Sequence, residues 1–359
     1  MKSRFKTIIA LSIIPQVLLV KLLSNFPEFI ETYYSNGLYQ FTSKLLRYIF
    51  GWLPFSFGDL FYTGLGLYAL RWVIINRKRI IKDTKFWIRD LLIGVSFVYF
   101  TFYAFWGLNY FRNPLHKTMN LQTDYTTEEL ISVLNKLTPK VNTIHRSIVD
   151  NDTLQVKIPY EKDELMMLTK NGFSNLGQVY PFLNSQPLSV KASLYRLPLT
   201  YMGYGGYFNP ISNEAQVNTL GPLHKIPTTS CHEQAHQIGY AAENEANFIG
   251  SLAAMYNDDT FIKYSGYIFA LKHCLLELAR RDSEMYDQAI TQINSGVLKS
   301  YQEEYEFWQA HQNPLEPLFK STYNQFLKIN NQDKGIESYS YVVALLVNYF
   351  NTENNQMLN

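Results

Sequence analysis

The segment Cys231-His232-Glu233-Gln234-Ala235-His236-Gln237-Ile238-Gly239 contains the pattern H-E-x-x-H. At ~100° per residue, His232 and His236 lie on one face of a helix about one turn apart, so both imidazoles can ligate one zinc ion. Glu233 between them can act as general base toward water that the ion acidifies, the chemistry of peptide-bond hydrolysis. A simpler reading is local. Ser230-x-x-Glu233 has the form of a helix capping box, which would leave the two histidines as ordinary surface residues.

A catalytic zinc site needs a third protein ligand. Glu243 follows His236 by seven residues, which in an unbroken helix would displace it by ~10.5 Å along the axis, beyond reach of a shared ion. The chain must therefore bend, and Gly239 is the residue to stop the first helix. A second helix then starts near Ala242. Its Glu243 face carries the small residues Ala246, Asn247, Gly250, Ser251 and Ala254, suited to close approach of another helix. Glu245 instead sides with Phe248, Ile249 and Leu252, so Glu243 is the expected ligand, ahead of Glu245, His224 and His273. Cys231, next to His232, reads as a small core residue.

The elements that must hold these residues are mostly helical. Thr126-Thr127-Glu128-Glu129 has capping-box form, with Leu130, Val133, Leu134 and Leu137 following at helical spacing. Residues 190–197 and 214–219 read as strands, separated by a glycine- and aromatic-rich stretch over 203–210 that must turn. From about Thr228 the chain reads as successive helices. Residues 339–350 are apolar but too few to cross a bilayer. The fold class expected is α+β, mostly helical, with a small sheet.

Of the 359 residues 47% are hydrophobic and 16% aromatic, which argues against disorder, and only 17% are charged. Residues 1–120 carry 15 Lys and Arg against 5 Asp and Glu, while the remainder carries 17 against 25. Three apolar stretches explain the basic front: residues 5–23, 55–75 and 91–108 predict three membrane spans. The run Arg77-Lys78-Arg79 with Lys82, Lys85 and Arg89 lies between two of them, where the positive-inside rule accounts for it better than nucleic-acid binding does. The N-terminus and this loop then face the cytoplasm, and three crossings put everything after about residue 110 on the extracytoplasmic side. The expected organisation is a membrane anchor over 1–110 and one extracytoplasmic domain over 111–359. Two cysteines, Cys231 and Cys274, exclude a disulfide-dense scaffold and a four-cysteine zinc site.

His232-Glu233-x-x-His236 followed by Glu243-x-x-Ala246-Asn247 resembles the zincin metallopeptidases of the gluzincin type, in which a Glu-x-x-Ala-Asp element on the next helix supplies the third ligand. The resemblance puts that ligand at Glu243 and departs from the pattern at Asn247, where an amide would support a ligand histidine. It also implies that the strand before the motif, containing Glu214, is an edge strand that pairs with substrate, and that a Tyr, His or Arg stabilises the oxyanion. Tyr339, Tyr267 and His273 are available for that role. The whole chain further resembles a bacterial membrane family catalogued as domain of unknown function 3810, through Trp106-Gly107-Leu108-Asn109-Tyr110, the Gly-Tyr-Phe-Asn-Pro segment, the zinc motif, and Lys328-x-Asn330-x-Gln332-x-x-Gly335-Ile336-x-Ser338-Tyr339. The activity expected is that of a membrane-anchored zinc metallopeptidase with Zn2+ as cofactor, and a peptide or protein substrate and the lipid bilayer as partners. The alternative is a zinc-binding, non-hydrolytic membrane sensor or assembly protein.

Overall fold

A computed structural model describes residues 2–184, 186–332, 341–352 and 357. Helices dominate, and a three-stranded sheet lies against one of them. Thr126 Oγ1 accepts from Glu129 N at 3.2 Å while Glu129 Oε2 accepts from Thr126 N at 2.7 Å, so the expected capping box starts helix Thr127–Ile148. The apolar face of this helix, Leu130 to Val141, is buried against helix Thr260–Arg281. Helices Lys162–Val179, Ile226–Gln237, Glu243–Met255 and Val342–Phe350 complete this core.

The sheet holds β1 (Val190–Ala192), β2 (Gly206–Asn209) and β3 (Glu214–Val217) in the order β1-β3-β2. β1 runs parallel to β3 and β2 antiparallel, with Gly206 opposite Val217 and Asn209 opposite Glu214. Asn209 closes the β2–β3 turn, its Oδ1 accepting from Ile211 N at 3.0 Å. The first expected strand is shorter than 190–197, because the chain turns into helix Arg196–Met202. That helix stops at Gly203, whose φ of +81° suits a residue without Cβ. Four residues of the stretch expected only to turn, Gly206 to Asn209, form a strand.

One expectation is overturned here. The strand containing Glu214 is central, flanked on both sides, and has no free edge to offer. Glu214, fully buried, instead accepts from Gly58 N and Ser212 Oγ, both at 2.8 Å. It thereby satisfies an amide at the start of helix Phe57–Asn76 that has no partner within the helix. The edge strands are β1 and β2, and β2 is the one that passes over Glu233.

Among the described residues two helices, not three, are long and apolar enough to cross a membrane: Arg4–Leu23 and Thr84–Phe105. Phe57–Asn76 has the length, but its glycines, tyrosines, Asp59 and Arg71 lower its hydropathy. The two apolar helices run side by side and parallel. Lys6 lies 3.9 Å from Asp90, Ser12 Oγ and Gln16 Nε2 both lie 2.9 Å from Ser96 Oγ, and Val20 and Leu23 join the cluster containing Tyr99 and Phe102. Their basic N-terminal ends therefore coincide, and their C-terminal ends meet the rest of the protein.

Candidate metal centre

Helix Ile226–Gln237 carries His232, Glu233 and His236. Ser230 lies in its second turn, so the capping-box reading of Ser230-x-x-Glu233 does not hold. The helix ends in a Schellman motif: Gly239 N donates to His236 O at 3.0 Å and Tyr240 N to Ala235 O at 3.1 Å, with Gly239 at φ +101°. The chain reverses through Ala241 and Ala242 into helix Glu243–Met255. Gly250 brings the two helices together, since a Cβ there would stand 2.7 Å from His232 N.

This reversal places Glu243 beside the two histidines. His232 Nε2 and His236 Nε2 are 3.1 Å apart, and Glu243 Oε2 lies 3.2 Å from the first and 3.6 Å from the second. Ligands ~2.0–2.1 Å from a tetrahedral zinc ion stand roughly 3.3 Å from one another, so the three atoms are spaced as such a set requires. The opposite ring nitrogens set the tautomers. His232 Nδ1 donates to Asn247 Oδ1 at 2.8 Å and His236 Nδ1 to Tyr240 O at 2.7 Å, which turns both Nε2 lone pairs toward the carboxylate. Three acceptors converging on one point repel unless a cation lies among them. In keeping with this, burial opposes charge on His236, yet Glu243 raises its pKa to about 9; burial opposes charge on Glu243, yet both histidines hold it well below the carboxylate range. The donor set fits a zinc ion.

Glu233 is 4% exposed and forms a second possible ligand group with His232 and His236, their ligand atoms all within 4.8 Å of one another. Burial raises its pKa to about 7 against the pull of His232 and His236, and its Oε2 has no hydrogen-bond donor among the described residues. β2 crosses directly over it: a Cβ on Gly206 would meet Glu233 Oε1 at 2.7 Å and Gln216 O at 2.5 Å, so only glycine fits. A cleft of about 380 Å³ opens from His232 and Glu233, bounded by Gly205 and Gly206, Thr229, Tyr323, and at its far end Lys225, His273 and Glu304.

The other sequence candidates fall elsewhere. Glu245 accepts from Leu115 N at 2.6 Å, outside the triad. His224 approaches Glu303 at 3.5 Å, His273 lines the far cleft wall, and Tyr267 donates to Met357 O. Tyr339 lies outside the described residues. Cys231 and Cys274 are free and buried. Tyr323, which sequence reasoning did not single out, donates to Glu243 Oε1 at 2.6 Å across 80 residues of sequence.

The C-terminal end of the motif helix is held by side chains from the N-terminal third. Tyr39 Oη donates to Gln237 O at 2.8 Å, Trp106 Nε1 to His236 O at 3.1 Å, and Arg112 Nη1 to Gly239 O at 2.9 Å. On the sheet side, Asp59 accepts from Tyr207 Oη on β2 and from Ser193 Oγ.

The model of the family described as "Protein of unknown function (DUF3810)" matches residues 34–347. The chain belongs to that family. The match begins in the π-helical segment Ile30–Leu38 that leads to Tyr39 and ends in the last described helix, so it takes in every residue of the site. No curated protein and no solved structure matches.

Proposed function

We propose that this member of the DUF3810 family is a membrane-held zinc peptidase, with His232, His236 and Glu243 holding the ion and Glu233 as general base. The convergence of two imidazole lone pairs and a carboxylate oxygen at 3.1 to 3.6 Å carries the reading. When bound, zinc supplies Lewis acidity toward a peptide carbonyl and acidifies an adjacent water. Glu233, raised toward neutrality by burial, takes the proton of the attacking water and returns it to the leaving amine. Asn247 and Tyr240 O keep both histidines in the ligating tautomer, and Tyr323 orients Glu243. The free edge of β2, beside Glu233, can pair with an extended substrate backbone. An open cleft at the site favours hydrolysis over a closed structural ion.

The membrane arrangement follows from the parallel packing of Arg4–Leu23 and Thr84–Phe105. Two spans that cross in the same direction need a return crossing between them, and Phe57–Asn76 supplies it. At ~1.5 Å per residue its 20 residues cover roughly the 30 Å hydrocarbon core. Positive-inside orientation puts Arg77, Lys78 and Arg79 in the cytoplasm and the cleft on the other side.

The test is metal analysis of the purified full chain together with cleavage of a quenched-fluorescence peptide library. We expect one zinc per chain, cleavage by the wild type, and Glu233→Gln with zinc retained and cleavage lost. Folded protein without zinc affinity would refute the reading; stoichiometric zinc without turnover would convert it to the sensor or assembly alternative.

A further inference from the structure

The cleft stands at the C-terminal end of the apolar helices, and its rim carries an apolar face of its own. Helix Thr84–Phe105 ends one residue before Trp106, whose ring meets that of His236 edge-on at 5.9 Å. Phe100, 57% exposed, is six residues earlier, about 9 Å along the helix. Tyr195 Oη donates to Asp59 O at 2.9 Å and bonds Thr63 Oγ1 at 2.7 Å, so the chain entering helix Arg196–Met202 lies along the first turns of Phe57–Asn76. From there Leu194, Leu197 and Tyr201 recur at three- and four-residue spacing, 47–55% exposed. Helix Glu316–Ile329 packs beside them, with Leu315 and Leu318 58% and 62% exposed.

This patch is bound to the site through two short connections. Gly203 and Gly205, just past the short helix, line the cleft. Leu318 precedes Tyr323, the partner of Glu243, by five residues, about 7.5 Å of helix. Five large apolar side chains exposed together are unfavourable in water and suit the headgroup–acyl boundary of a bilayer.

We infer that Leu194, Leu197, Tyr201, Leu315 and Leu318 rest on the membrane and hold the cleft against it, so that the substrates are chain segments tethered in the same bilayer. The inference builds on the membrane-peptidase reading, and the bilayer is chosen over a soluble partner because the patch adjoins the first turns of Phe57–Asn76, the proposed return span.

The experiment uses the full chain in nanodiscs containing lipids with a nitroxide near the headgroup or deep in the acyl chain. A fluorophore is attached at Leu197→Cys, Leu318→Cys, Leu276→Cys or Phe97→Cys, one site at a time; the native cysteines are buried. Leu276 is exposed on helix Thr260–Arg281, which packs against Thr127–Ile148, and Phe97 is exposed on Thr84–Phe105. Shallow-nitroxide quenching at 197 and 318 should exceed that at 276 at least threefold, with 97 quenched by the deep label. Quenching at 197 and 318 no greater than at 276, with 97 still quenched, overturns the inference and leaves the spans standing. Loss of quenching at 97 overturns both. Zinc content of the same samples reports on the peptidase reading separately.

Discussion

Gly250→Ala tests whether the approach of two helices sets the metal geometry. A methyl at this position would stand 2.7 Å from His232 N, 3.0 Å from His232 Cα and 3.1 Å from Cys231 C, all backbone atoms that no rotamer change can clear. Ordinary contact begins near 3.4 Å, so the helices must part by about 0.7 Å, and the displacement falls on His232 itself. The separation of His232 Nε2 and Glu243 Oε2 then grows from 3.2 Å toward about 3.9 Å, beyond the roughly 3.3 Å that tetrahedral zinc imposes. We expect zinc affinity to fall on the order of 10- to 100-fold and the protein to lose about 1–3 kcal/mol through overpacking. Competition with a fluorescent chelator reads the first and thermal melting with and without zinc reads the second. Gly64→Ala is the control, because nothing lies within 4 Å of a Cβ there. Wild-type zinc affinity in Gly250→Ala would refute the idea that this helix contact spaces the ligands.

Three further outcomes follow from the same geometry. Asn247→Ala removes the acceptor of His232 Nδ1–H and should weaken zinc binding about 10-fold or more, whereas Asn247→Asp should retain it; chelator competition separates the two. Gly206→Ala should abolish peptide cleavage while zinc stays bound, because the added methyl meets Glu233 and Gln216 O rather than the ligands; paired metal and activity assays decide it. Glu304, buried, is held down to about 2 by Lys225 and Lys272 despite the opposing effect of burial. A folded pKa below the unfolded ~4.5 gives stability that is full above ~4.5 and lost as pH falls from there toward 2. The melting-temperature advantage of the wild type over Glu304→Gln should therefore shrink across that interval.

Local chemistry made part of this structure readable in advance. The capping box at Thr126, the stop at Gly239 and the small-residue face around Gly250 depend on neighbours within one or two turns, and the folded chain contains each of them. The choice of Glu243 over Glu245 followed from helix geometry, and the structure puts Glu243 beside the histidines and Glu245 against Leu115. What was not readable depends on distant pairing. β3 is central because β1 and β2 reach it from both sides, and nothing within Glu214–Val217 announces two partners. The role of Glu214 arises from amides more than 150 residues away. Tyr323 is one of 27 tyrosines, and only the docking of helix Glu316–Ile329 sets it apart.

The carbonyls closing the motif helix are bonded by Tyr39, Trp106 and Arg112, of which Tyr39 precedes helix Thr84–Phe105 and Trp106 directly follows it. A fragment cut after the last apolar helix would keep His232, His236 and Glu243 but lose Tyr39, and with Glu31 the carboxylate that holds Arg112. Workers who trim the protein for convenience would be purifying a different object, with a loosened histidine at its centre. The N-terminal third, with its two long apolar helices, is thus masonry for the histidine pair as well as a candidate mooring.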